Sequence, residues 1–294
     1  MKTNQKKHSG YVALIGRTNV GKSTFLNKIL ETKVAIVSNS PQTTRKQILG
    51  IKTTSRGQFI FFDSPGIHKP YFKLNEKMMR DVHNSILDGD LILYFIEIGD
   101  FRADEFIINM IKQAQKKIIL VINKIDKTNK AQVLRQIDHL KEKADWNEII
   151  PISALTGDNL DRLEDLIYRY LPENDFFFDP EEYTRQTEKF YIAELIREKL
   201  LNLSRDELPF TTTVKVEEIT EKEKIFYIRA EIYTESISQK KIIVGKHGSM
   251  IKQIGETARA DIEDYFGKKV FLDLFVKVVP NWRNSSLFLK DIFD

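Results

Sequence analysis

Residues Gly16-Arg17-Thr18-Asn19-Val20-Gly21-Lys22-Ser23 match the pattern G-x-x-x-x-G-K-[ST], directly after the apolar run Val12–Ile15 and at the head of a helical pattern over 22–30. The pattern demands a strand, a tight loop and a helix in that order. Its glycines let successive backbone N–H groups turn inward around phosphate oxygens, and the helix start adds positive potential. Gly16, Asn19, Val20, Gly21, Lys22, Ser23 and Thr24 are therefore expected to line phosphates. Lys22 would bridge the outer phosphates, and the Ser23 hydroxyl would ligate Mg2+. The expected ligand is a nucleoside triphosphate.

The rest of the first half agrees with that start. Val12–Ile15, Phe59–Phe62, Leu91–Ile96 and Ile118–Ile122 are near-continuous apolar runs, as in central strands covered on both faces. Amphipathic segments lie between them near 22–30, 75–87, 103–115, 131–143 and 159–170. This alternation predicts an α/β domain with a mostly parallel sheet and helices on both faces. A Phe-rich acidic stretch between Pro172 and Pro180 breaks the pattern and reads as a linker. Beyond it the periodicities give helix, strand, strand, helix, strand, an α+β unit. The expected organisation is a nucleotide domain over 1–172, a linker over 173–187, a second domain over 188–279 and a tail over 280–294. A length of 294 residues suits two such domains.

Composition removes several classes of chemistry. With no cysteine there can be no disulfide, iron–sulfur cluster or thiol nucleophile, as suits a reducing compartment. The first apolar run is too short for a signal peptide, no stretch approaches the ~20 apolar residues of a membrane span, and no lipidation motif is evident. A soluble, cytoplasmic and monomeric protein is expected, with at most weak peripheral contact with the inner membrane. The net charge of +4 is uneven, +8 over 1–172 and −4 over 173–294. Within the acidic half, 236–255 carries Lys240, Lys241, Lys246 and Lys252 and no carboxylate.

Three further boxes follow strands. Asp63-Ser64-Pro65-Gly66 ends the run Phe59–Phe62, where the carboxylate can hold Mg2+ through water and the Gly66 N–H can meet a γ-phosphate. Asn123-Lys124-Ile125-Asp126 follows Ile118–Ile122, and Ser153-Ala154-Leu155 follows Ile149–Ile152. With these boxes in order the chain resembles the G-protein superfamily. The resemblance implies that Asp126 accepts from the guanine N1–H and exocyclic amine, that Asn123 contacts the purine, and that Lys124 stacks over it. It also implies that the Ala154 N–H, in the Ser153-Ala154 box, meets the guanine carbonyl.

Gln42-Thr43-Thr44-Arg45, Ile67 directly after Gly66, and the run Ser153–Gly157 narrow the resemblance to the Era family of bacterial GTPases. There Thr44 would be the switch threonine on Mg2+, with Thr43 a neighbouring candidate. Ile67 takes the place where small GTPases carry a water-orienting glutamine, and an isoleucine cannot hydrogen-bond a water. The resemblance implies a K+ ion ligated by Asn19. Thr18 and Ser64 depart from the family's usual proline and threonine, and neither is a proposed ligand.

Gly245-Lys246-His247-Gly248, inside the carboxylate-free window and ahead of an amphipathic segment over 250–266, resembles the G-x-x-G loop of a type II KH domain. Such loops clamp the backbone of a short single-stranded segment. The resemblance to Era then spans nearly the whole chain. Lys240, Lys241, Gly245, Lys246, His247, Gly248 and Lys252 become the expected RNA contacts. The implied function is a GTP/GDP switch that hydrolyses GTP slowly, binds small-subunit ribosomal RNA near its 3′ end and assists 30S subunit assembly. Two alternatives stand beside it: an RNA-binding nucleotide sensor with negligible hydrolysis, and a peripheral membrane signalling GTPase.

Overall fold

The computed structural model describes residues 7–204 and 207–293. The chain divides into two compact units. One comprises Met1–Ala35, Thr44–Lys69 and Lys77–Arg185, the other Ile36–Thr43, Pro70–Glu76 and Gln186–Asp294.

The first unit is built on six strands: β1 (His8–Gly16), β2 (Ile48–Thr54), β3 (Gly57–Asp63), β4 (Leu91–Glu97), β5 (Lys117–Asn123) and β6 (Glu148–Pro151). Their order across the sheet is β2-β3-β1-β4-β5-β6. All neighbours run parallel except β2, which pairs antiparallel with β3. Helices α1 (Lys22–Leu30), α2 (Lys73–Asp88), α3 (Glu105–Gln113), α4 (Lys130–Leu140) and α5 (Leu160–Tyr170) follow the strands in alternation. Val12–Ile15, Phe59–Phe61 and Ile119–Ile122 are at most 1 % exposed, as two-sided cover requires. This is the expected mostly parallel α/β sheet, and it places the ends of β1, β3, β5 and β6 side by side.

Residues 173–185 lie along this unit rather than away from it. Gln58 accepts from the Phe177 and Phe178 amides and donates to the Phe178 carbonyl, while Thr184 Oγ1 donates to the Leu49 carbonyl. The Ile51 amide donates to the Tyr183 carbonyl.

The second unit holds α6 (Glu188–Leu203), α7 (Leu208–Thr211), β7 (Thr213–Glu221), β8 (Ile225–Thr234), α8 (Ile237–Val244), α9 (Ser249–Phe266), β9 (Lys269–Val278) and α10 (Ser286–Phe293). The sheet order is β7-β8-β9, with β7/β8 antiparallel and β8/β9 parallel. Ile192, Leu195 and Ile196 of α6 and Ile254, Ala258 and Ile262 of α9 meet Ile228, Ala230 and Ile232 of β8 in one core. The helix-strand-strand-helix-strand order read from the sequence is present, with α7, α8 and α10 added. Residues 280–293 form a helical turn and α10, anchored by Trp282, whose buried indole donates to the Thr211 carbonyl at 2.9 Å.

Candidate functional site

The loop between β1 and α1 carries the phosphate pattern. Gly21 stands at the start of α1 with φ 96°, and no side chain caps the helix, so its first N–H groups have no side-chain competitor. Lys22 is only 6 % exposed, and its Nζ donates to the Gly16 and Arg17 carbonyls at 3.2 and 3.0 Å. Burial pushes its ammonium down to about 8, against the pull of Asp63.

Ser23 Oγ donates to Asp63 Oδ2 at 2.6 Å and lies 3.0 Å from Thr44 Oγ1. Burial pushes the Asp63 carboxyl up to about 6, opposed by Lys22 and the Ser23 hydroxyl. Asp63 Oδ1 is buried with no hydrogen-bond partner among the described residues. One carboxylate and two hydroxyls, all hard oxygens within hydrogen-bond reach, form a donor set that suits Mg2+, which keeps several waters and takes few protein ligands. Of the two candidate threonines, the fold brings Thr44 to this group. The Thr43 hydroxyl instead donates to the Ser40 carbonyl at 2.6 Å.

Gly66 comes so close to the phosphate loop that a Cβ there would lie 2.6 Å from Thr18 Cα. The next amide, of Ile67, donates to the Gly16 carbonyl at 3.0 Å. The Ile67 side chain packs into the core with Ile15, Val82, Ile92 and Tyr94. Asn19 has φ 62°, and its carbonyl accepts from Lys124 Nζ at 2.6 Å.

The boxes after β5 and β6 are tied to each other and to the phosphate loop by Asn123, which is 1 % exposed. Its amide donates to the Val20 carbonyl at 2.8 Å, and its Oδ1 accepts from the Lys124 and Ala154 amides at 2.8 and 2.9 Å. Asn123 is therefore a clamp between loops, with its polar atoms turned to protein. The Ala154 N–H, expected toward guanine, is held on Asn123. Ser153 Oγ donates to Asp126 Oδ1 at 2.6 Å and fixes that exposed carboxylate. Lys124 also pairs with Glu97 at 2.8 Å, a partner the motif does not reveal. Thr24 lines a cleft of about 680 Å3, shared with Lys28, Ala154, Leu155, Gly157 and Leu160.

In the second unit Ser236 caps α8 in a reciprocal pair with Gln239. The loop Gly245–Gly248 joins α8 to α9. A Cβ on Gly245, at φ 75°, would lie 2.7 Å from the Met250 amide nitrogen. Lys240, Lys241, Lys246, His247 and Lys252 are all exposed, and Ile237 and Ile242 beside them are 67 % and 53 % exposed. Cations and apolar surface thus share one helix-loop-helix.

Segment 36–43 is held in the same unit. The Val37 amide donates to Glu198 at 3.0 Å, and Arg197, paired with Glu194 at 2.6 Å, donates to the Thr43 carbonyl.

Two families match by sequence: one described as a 50S ribosome-binding GTPase over residues 11–124, the other a KH domain over 207–283. The chain is also similar to Era crystallised with MgGDPNP and nucleotides 1506–1542 of 16S ribosomal RNA. The identity is 40 %, covering 97 % of this chain and 98 % of that one, with a TM-score of 0.94. The chain belongs to the Era family of GTPases. A variant of Aquifex aeolicus Era bound to GDP and aluminium fluoride is 39 % identical over 96 % of this chain and 98 % of its own, with a TM-score of 0.93. The Era-like extent covers both units, so the phosphate loop and the G-x-x-G loop belong to one family architecture.

Proposed function

We propose that this Era-family chain is a Mg2+-dependent GTPase switch that binds small-subunit ribosomal RNA near its 3′ end and assists assembly of the 30S subunit. The observation that carries this reading is its full-length likeness to Era held with both MgGDPNP and nucleotides 1506–1542 of 16S ribosomal RNA.

GTP lies with its phosphates on the loop 16–23. Lys22 reaches the outer phosphates, and the Gly66 N–H meets the γ-phosphate. Ser23, Thr44 and Asp63 hold Mg2+; when bound, the ion neutralises charge developing on the outer phosphates. The Asp126 carboxylate accepts from guanine N1–H and the exocyclic amine, which adenine does not offer in that pattern. A site whose acceptor is aimed at donors of one base discriminates against an analogue that lacks them. Ser153 orients Asp126, and Asn123 keeps the base loops in register with the phosphate loop. The Ala154 N–H reaches the guanine carbonyl by sharing or exchanging its bond to Asn123.

Hydrolysis is slow, because Ile67 offers no polar group to a water. Asn19 carries a neutral amide oxygen on the exposed loop, the donor type an alkali cation takes, and K+ there would add positive charge beside the phosphates. Equal turnover in potassium and sodium would remove that role.

The loop Gly245–Gly248 clamps the RNA backbone. Lys240, Lys241, Lys246, His247 and Lys252 supply donors, and Ile237 and Ile242 offer apolar surface to bases. Work on ribosomal RNA would place the protein in the cytoplasm; no helix among the described residues is long and apolar enough to cross a membrane. The test is crosslinking of the GTP-loaded chain to cellular RNA, with the bound segment mapped. Label should map near the small-subunit 3′ end and vanish when Lys246 and His247 are replaced by Asp, with GTP binding intact. Label that survives moves the RNA site elsewhere.

A further inference from the structure

Asp126 lies in the short helical turn Ile125–Lys127 that follows β5, and a lysine stands on either side of it. Both lysines reach the same carboxylate. Lys124 Nζ donates to Glu97 Oε2 at 2.8 Å, and Lys127 Nζ donates to Glu97 Oε1 at 3.1 Å. Glu97 thus takes one ammonium on each oxygen and closes the two ends of the turn that carries Asp126. Lys124 Nζ also donates to the Asn19 carbonyl at 2.6 Å. The Lys124 stem therefore spans from the loop after β5 to the phosphate loop.

Glu97 is itself firmly placed. It ends β4 and stands in register opposite Asn123 of β5. The next amide, of Ile98, donates to the Asn123 carbonyl at 2.9 Å, and Gln136 donates to the Glu97 carbonyl at 3.2 Å. Partial burial opposes ionisation of Glu97, but the two lysines outweigh it and hold the carboxyl below its ordinary range, so it is charged at neutral pH. Lys124, by contrast, needs holding. Its φ of 69° lies in the left-handed region that L side chains disfavour, and an ammonium on a four-carbon stem is flexible and well hydrated.

We propose that Glu97 is a positioning residue for guanine nucleotides: by holding Lys124 and Lys127 together, it keeps the Lys124 stem extended across the base position and the Asp126 turn closed before nucleotide arrives. This rests on the reading of the chain as a guanine-nucleotide switch. Glu97 acts through the two lysines. Side chains already ordered in the free protein lose less freedom when the nucleotide binds, so it stays bound longer.

Release of GDP carrying a fluorescent ribose label, from the full chain with Mg2+, tests this beside thermal melts of the nucleotide-free protein. Glu97→Gln keeps the side-chain length and removes the charge; GDP should leave about fivefold faster. The melting midpoint should hardly move, because both partners of the Lys124 pair are partly exposed. Placed on Lys124→Ala, the same substitution should change release by less than about twofold, since the residue it acts through is gone. Wild-type release from Glu97→Gln would overturn the proposal. So would an undiminished effect on the Lys124→Ala background, or faster release matched by a loss of thermal stability, since each marks a purely structural role. A wild-type chain that binds no guanine nucleotide would instead remove the guanine-switch reading.

Discussion

Ser23 Oγ donates to one oxygen of the Asp63 carboxylate at 2.6 Å, while the other oxygen is buried without a hydrogen-bond partner among the described residues. A carboxylate so placed is costly until a cation shares it, and its value of about 6 expresses that cost. Because the folded value is raised, protonation favours the fold below the ordinary carboxylate range, and that benefit is lost as pH rises through about 6. Asp63→Asn should therefore stabilise the nucleotide-free protein at pH 7.5 by about 1–3 kcal/mol. The gain should fade toward pH 4, and the variant should lose the Mg2+ dependence of nucleotide binding. Denaturant melts across pH check the first part, and a variant no more stable than wild type at pH 7.5 would contradict it.

Lys22 shows the opposite sign. Its folded value, lowered to about 8, means that burial of the ammonium costs stability below that pH. The cost is relieved as pH rises from about 8 toward the ordinary lysine value. A bound triphosphate favours the ammonium, so GTP binding at pH 8.5 should take up about three-quarters of a proton. Calorimetry in buffers of different ionisation enthalpy measures this directly. No buffer dependence would mean the amine is already charged.

The loops after β5 and β6 depend on Asn123 for their mutual register. Asn123→Ala removes two buried hydrogen bonds, to Val20 and Ala154, and a partly buried one to Lys124, and should cost about 2–4 kcal/mol. Asp126 is exposed, so Asp126→Asn should leave stability nearly unchanged. It should nevertheless shift preference from guanine toward xanthine, whose 2-carbonyl accepts what the new amide donates. Competition between the two nucleotides checks it, and an unshifted preference would remove Asp126 from the base site.

The two glycines of the loop Gly245–Gly248 should respond differently. Gly245→Ala meets both a positive φ and the Met250 backbone, whereas Gly248→Ala meets a positive φ of 79° and open space. The second change should cost about 1 kcal/mol and the first clearly more, with loss of RNA binding. Thermal melts and titration with a short single-stranded RNA separate them; equal effects would contradict the packing.

What the sequence revealed follows from how local each signal is. The phosphate loop, Asp63–Gly66, Asn123–Asp126 and Gly245–Gly248 are short contiguous patterns whose chemistry sits in the pattern itself, and each lies after the expected strand or helix. Less legible were features that depend on neighbours distant in sequence. Asn123 carries the correct box but works as a clamp, because its partners Val20 and Ala154 are supplied by the fold. Trp282 resembled part of a tail, yet it is fully buried on Thr211. Glu194 and Arg197 have the spacing of a surface ion pair, but Arg197 is 2 % exposed and donates to Thr43.

The most direct measurement is phosphate release over many turnovers by the full chain, with Mg2+ and either GTP or ATP. GTP should be hydrolysed slowly and repeatedly, and ATP should release no phosphate above background. Equal release from both nucleotides, or a single turnover with GTP followed by none, would contradict a guanine-specific hydrolytic switch.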